Sequence, residues 1–223
     1  LNRVTKIALY IGFIITSVLY LYMLATVTPE NNALRNSLKP VPIIFLLMLY
    51  SFESKKKSPL IISTFLFIVI ADIVSSSLNM FWLALLIYGI GNFLLVKMML
   101  NTISKNAKKE VGIYFILSLI LFLIVFIYVI QDKGNCFFSI LFYGVTVSLL
   151  FSVSLLNYKH NMILANALLF LTISVRVISD AVYAIVIFNI SNVYFDLVSL
   201  SIWMLSCFLF YKSFILREKQ ISK

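Results

Sequence analysis

Charge is scarce in this sequence: Asp, Glu, Lys and Arg together supply 12% of its 223 residues, about half the share of an ordinary soluble domain. Hydrophobic residues fill 62% of the positions. No soluble domain of this length has interior enough to hide that much apolar surface. Histidine occurs once, as His160 in the polar turn Lys159-His160-Asn161. That argues against a His-based zinc site and leaves no Ser-His-Asp or Cys-His nucleophile. The two cysteines, Cys136 and Cys207, do not form a disulfide framework, since Cys207 lies inside an apolar run. Gly-rich phosphate loops are missing as well. Neither a metal nor a cofactor is expected. The net charge of +10 does not point to nucleic acid, because the basic residues lie in short clusters between apolar runs rather than in an aromatic-interleaved patch. Such clusters face anionic head groups, so the expected partner is the lipid bilayer.

What the sequence has in abundance is apolar runs long enough to cross a bilayer, for which roughly 20 residues suffice. Bounded by charges and turn formers, they cover residues 7–27, 39–52, 59–78, 81–100, 111–130, 137–155, 162–188 and 193–215. The reading is a single all-α membrane domain, a bundle of about eight transmembrane helices. The first run is too long for a signal-peptide core and reads as the first span. The run at 39–52 is short for a span, and Asn79 stands at a tight outer turn between the third and fourth.

Orientation follows from the basic residues. On one side fall Arg3, Lys6, Lys55, Lys56, Lys57, Lys105, Lys108, Lys109, Lys159, Lys212, Arg217, Lys219 and Lys223, and on the other only Arg35, Lys39 and Lys133. The asymmetry predicts an even number of spans with both termini cytoplasmic, in a multi-pass protein of the cell membrane. The order Ala71-Asp72-Ile73-Val74 in the third span returns as Ser179-Asp180-Ala181-Val182 in the seventh, about half a chain later. Four spans separate the copies, so a duplication would give two halves of the same orientation.

Ionisable groups inside spans are functional candidates by default, because burying one in hydrocarbon costs at least a few kcal/mol. They are Asp72, Lys97, Arg176, Asp180 and Asp196, with Lys39 at a boundary. Lys97 is close enough to the cytoplasmic end to snorkel. At about 1.5 Å per residue, Asp72 and Arg176 reach nearly the same depth, and Asp180 stands one turn beyond Arg176 on the same helix face. Lys39 and Asp196 open their spans from the outer side. All except Lys97 therefore belong to the outer half of the membrane, which predicts one polar pocket there. Arg176 and Asp180 can also simply neutralise each other at i,i+4, leaving Asp72 to hydrogen-bond with Ser75, Ser76 or a neighbouring helix. Phe81, Trp82, Tyr194 and Trp203 read as packing and interfacial anchors.

Lys39-Pro40 opening the second span, Ala71-Asp72 late in the third, and Leu169-Phe170 followed by Ser179-Asp180 in the seventh give a layout that resembles the YhhN family, which includes the animal lysoplasmalogenases. Ala71 stands where family members commonly carry Gly, and Asn92 where they carry a His in the fourth span. The resemblance implies a hydrolase of lipid metabolism that cleaves the vinyl-ether bond of lysoplasmalogen, a membrane lipid, to a fatty aldehyde and a glycerophospho-base. It assigns Asp72 as the acid and Asp180, steadied by Arg176, as the ionised partner that orients water, by the two-carboxylate logic of glycosidases. Lys39 would hold the lipid phosphate, and Arg176, Asp196 and Asn92 complete the substrate-binding set.

Two other readings stay open. In one, Asp72, Arg176 and Asp180 form an ion or proton relay in a small transporter, against which the cytoplasmic half offers almost no polar groups. In the other, the chain is a non-enzymatic membrane module with a silent site.

Overall fold

The computed structural model describes residues 3–27, 33–77, 80–101, 103, 105–129, 136–189 and 192–221. They form nine helices: α1 (Arg3–Thr26), α2 (Ala33–Leu38), α3 (Val41–Glu53), α4 (Pro59–Ser77), α5 (Phe81–Leu100), α6 (Lys105–Tyr128), α7 (Phe137–His160), α8 (Leu164–Phe188) and α9 (Val193–Ile221). An apolar chain in hydrocarbon must form helices, because no water is present to satisfy its N–H and C=O groups. All except α2 and α3 are long and apolar enough to cross a membrane, seven in all. The protein is a polytopic helical membrane bundle.

The eight longer helices fall on the eight apolar runs, and α3 accounts for the shortness of the run at 39–52. Its 13 residues span about 20 Å, less than the roughly 30 Å of hydrocarbon in a bilayer. It is the inner part of an interrupted element whose outer part is the six-residue α2. Lys39 and Pro40 make the break. Pro42 sits in the first turn of α3, where a missing N–H costs no helical hydrogen bond. The tight turn at Asn79, the end of the fifth run at Ile130, and Lys133 lie outside the described residues.

Several helix ends share one face. Glu53, closing α3, takes Lys6 of α1 at 2.6 Å and Lys219 of α9 at 3.7 Å. Glu218 of α9 accepts hydrogen bonds from the Ser54 hydroxyl and from the Lys55 backbone N–H. The start of α1 and the ends of α3 and α9 therefore lie together. Glu110, near the start of α6, holds Lys159 at 2.9 Å and His160 at 3.3 Å at the end of α7. Above this lysine-rich face lies the main apolar core, with Tyr50, Phe65, Leu95, Met99, Leu156 and Tyr211 fully or almost fully buried.

Helix pairing follows one order in both halves. In the first, α1 packs on α3, α3 on α4 and α4 on α5; in the second, α6 packs on α7, α7 on α8 and α8 on α9. The halves meet through α5 with α7 and through α9 with α3, which are corresponding pairs, but also through α1 with α9, whose counterpart α6 with α5 is not a close pair among the described residues. The pairing order within each half is what two four-helix units of one orientation produce, and the contacts between the halves match it only in part. The closest partnership is α8 with α9, where Ser179 donates to the Ser199 carbonyl at 2.7 Å and Ser199 returns the bond at 3.1 Å. Small hydroxyl residues let two backbones approach and satisfy each other without water.

Candidate functional site

Asp72 lies 13 residues into α4, about 20 Å from the helix start by helical rise. Because α3 is about as long, its first residues arrive at the same depth. Lys39 Nζ accordingly meets Asp72 Oδ1 at 3.3 Å and Ser75 Oγ at 3.4 Å. Asp72 is completely buried and Lys39 nearly so. From α5, the Tyr88 hydroxyl donates to Asp72 Oδ1 at 2.5 Å. A buried carboxylate is tolerable in such a place only when paired and hydrogen-bonded.

The second carboxylate is held in the same manner. From α7, the Tyr143 hydroxyl donates to Asp180 Oδ2 at 2.6 Å, and Arg176 Nη2 donates to that same hydroxyl at 3.3 Å. Arg176 thus reaches Asp180 through a tyrosine rather than by the direct i,i+4 pairing the spacing suggested. The two sets touch. The rings of Tyr88 and Tyr143 meet edge to face at 6.3 Å between centroids, and the Arg176 guanidinium lies over the Tyr88 ring at 5.9 Å. Such a contact is favourable for a cation shielded from water.

Lys39, Asp72, Tyr88, Tyr143, Arg176 and Asp180 all line one cavity of about 290 Å³. Apart from the charged groups, the two tyrosines and several serines, its walls are mostly apolar and include Leu85, Val125, Ile140, Val147 and Ala184. Two buried polar atoms of this lining, Asp72 Oδ2 and Arg176 Nε, have no hydrogen-bond partner among the described residues. Both atoms are closed even to water, so their missing partners cost the fold stability and neither is an open ligand position. The cavity can hold an amphiphile with its polar part against two carboxylates and two cations and its tail on the apolar walls.

Of the residues singled out from sequence, four converge here: Asp72, Asp180, Arg176 and Lys39. Asn92 and Asp196 are not in the lining. Asn92 is buried on α5 one turn from Tyr88, and its Nδ2 has no partner among the described residues. Asp196 is half-buried in the first turn of α9, with Oδ1 also unpartnered. Lys97 is exposed, which suits a snorkelling residue. The Lys39 ammonium, expected to hold a phosphate, contacts Asp72 and Ser75. The tyrosines were missed because aromatics in spans read as packing. The signal available was chemical: a phenol placed mid-span must find an acceptor.

The half toward the lysine-rich face is also less bare than the sequence suggested. On α7, Ser148, Ser152, Ser154 and Asn157 are buried, and Ser118 of α6 bonds the Ser148 carbonyl at 3.0 Å and the Ser152 hydroxyl at 2.9 Å. Ser118 and Ser148 also line the cavity. No family model, curated protein or solved structure matches the chain.

Proposed function

We propose that the cavity is the active site of a membrane hydrolase acting on the vinyl-ether bond of a lysoplasmalogen-type lipid, as the resemblance to the YhhN family implies. The observation that supports it is the convergence of Asp72 and Asp180, each oriented by a tyrosine hydroxyl, on one cavity whose other walls are mostly apolar. Vinyl-ether hydrolysis needs a proton donor for the double-bond carbon and a group that guides water to the resulting oxocarbenium ion. The hemiacetal so formed collapses to an aldehyde and the glycerol hydroxyl, with no net change in protons on the protein.

In this reading the two carboxylates exchange the roles that the resemblance implies. Asp72 contacts a lysine directly, so it suits the partner that stays ionised. Asp180 has no cation in direct contact and suits the proton donor. Arg176, which lines the cavity and contacts the Tyr143 hydroxyl through Nη2, takes the lipid phosphate in place of Lys39 in this reading. The test is incubation of purified protein with lysoplasmalogen and with the saturated alkyl-ether lysolipid, followed by mass spectrometry for free aldehyde. Aldehyde from the vinyl ether alone supports the reading; aldehyde from neither, or an unchanged rate in Asp180→Asn, overturns it.

One observation favours the second reading, a proton relay. The hydroxyls of Ser118 and Ser152 continue from the cavity toward the lysine-rich face. Proton flux across protein-loaded liposomes, abolished in Asp72→Asn, would select it over the hydrolase.

A further inference from the structure

One wall of the cavity is a helix with a single close neighbour. Among the described residues α6 packs closely on α7 alone. It is anchored near the lysine-rich face through Glu110 with Lys159, and at mid-helix through Ser118 with Ser152. Farther out it rests on α7 through aromatic contacts such as Phe126 with Phe137, at 5.6 Å between centroids. Its outward side is apolar.

Leu121 of α6 lines the cavity and is nevertheless 65% exposed, and Ile187 of α8 lines it and is 39% exposed. A side chain can face a cavity and the exterior together only at a rim. The two residues therefore mark a lateral opening between α6 and α8 that reaches the end of α8 at Ile187, while Leu121, seven residues inside the end of α6, faces hydrocarbon. Inward from it, Val177, Ala181 and Ala184 continue the lining, and the alanines leave width along α8. Arg176, Asp180, Ala184 and Ile187 follow one another at helical spacing, so charged end, apolar arm and rim form one stripe.

We infer that the hydrocarbon tail of a bilayer amphiphile passes sideways between α6 and α8 and lies along α8, with its polar linkage at Asp180 and Arg176. The position of the linkage rests on the hydrolase reading. The opening rests on Leu121, Ile187 and the isolation of α6. The occupant is a lipid tail rather than a partner helix because the arm is continuous with buried charges, and a helix packed on the rim would leave both arm and charges unfilled.

Trp203 of α9 lines the cavity, and Trp82 is the only other tryptophan, which makes occupancy measurable. Trp82→Phe protein in phosphatidylcholine vesicles would be titrated with lysophosphatidylcholine carrying a brominated stearoyl chain, an ester that offers no vinyl ether to cleave. A parallel series would use brominated diacyl lipid at equal bromine content. The expected result is a saturable loss of Trp203 emission with the lysolipid, reversed by its unbrominated form and abolished by Ala184→Phe. Ala181→Leu, a smaller obstruction, should weaken the quenching if Ala184→Phe fails to fold. Quenching that follows total bromine alike for both lipids and ignores the variants would place tails only in the surrounding bilayer and overturn the proposal. Quenching without aldehyde release would keep the opening and remove the hydrolase; aldehyde release without quenching would do the reverse.

Discussion

Lys39 Nζ lies 3.3 Å from Asp72 Oδ1, joining the break before α3 to the middle of α4. The pair is sealed from solvent, with the Lys39 side chain 11% exposed and that of Asp72 not at all. Removing one partner of such a pair strands the other, which costs about 3–5 kcal/mol. Lys39→Met should therefore lower the melting temperature of the detergent-solubilised protein sharply. The double variant Lys39→Met with Asp72→Leu should regain most of the loss. If the single variant melts like the parent, the pair carries no stability.

Tyr143 and Tyr88 test the orienting role of the phenols. Each donates one hydrogen bond to a carboxylate, a kind of bond worth about 1.5–3 kcal/mol. If it is made mainly in the transition state, Tyr143→Phe should slow aldehyde release by roughly ten- to a hundredfold with little change in KM. Tyr88→Phe should act in the same direction through Asp72. Melting temperatures should change less than for Lys39→Met, because the ring contact at 6.3 Å remains. Equal rates for parent and both variants would remove the tyrosines from the mechanism.

These phenols also show where the sequence stopped being readable. Helix number and placement were legible because hydrocarbon imposes one rule on every span, and that rule acts on local composition. The depth of Asp72, Arg176 and Asp180 was legible for the same reason, since helical rise converts position into height. Azimuth was not. Nothing local says that Asp180 faces Tyr143, that Lys39 turns toward Asp72 instead of outward, or that Asn92 and Asp196 point elsewhere; those relations depend on how helices distant in the chain rotate against one another. The shortness of α3 was visible, but its consequence, a break delivering Lys39 to the depth of Asp72, emerged only once the chain was folded.

Gly144 of α7 sets how near α6 can come. A Cβ at that position would overlap the Phe122 ring, closer than any pair of atoms tolerates. Gly144→Ala must therefore push the ring into the cavity or α6 away from α7. Overpacking of this kind costs about 1–3 kcal/mol. The variant should melt lower than the parent, and Phe122→Leu added to it should restore stability by giving the new methyl room. Additivity of the two substitutions would mean that they do not meet, since residues in contact couple and distant ones add.

Glu53 closes α3 just beyond the second span and ties three helix ends together through Lys6, Tyr211 and Lys219. Burial pushes its carboxyl up, but hydrogen bonds from Lys6 and Tyr211 and the charges of Lys6 and Lys219 outweigh that and leave it below its ordinary value of 4.5. A carboxyl lowered in the folded state contributes stability that is fully present above its unfolded value and is lost as pH falls through the folded one. The melting temperature of the parent should therefore exceed that of Glu53→Gln at neutral pH, and the gap should close as pH drops below about 4.5. A gap that persists unchanged into acid would mean that shape and hydrogen bonding, not the charge on Glu53, hold α1, α3 and α9 together.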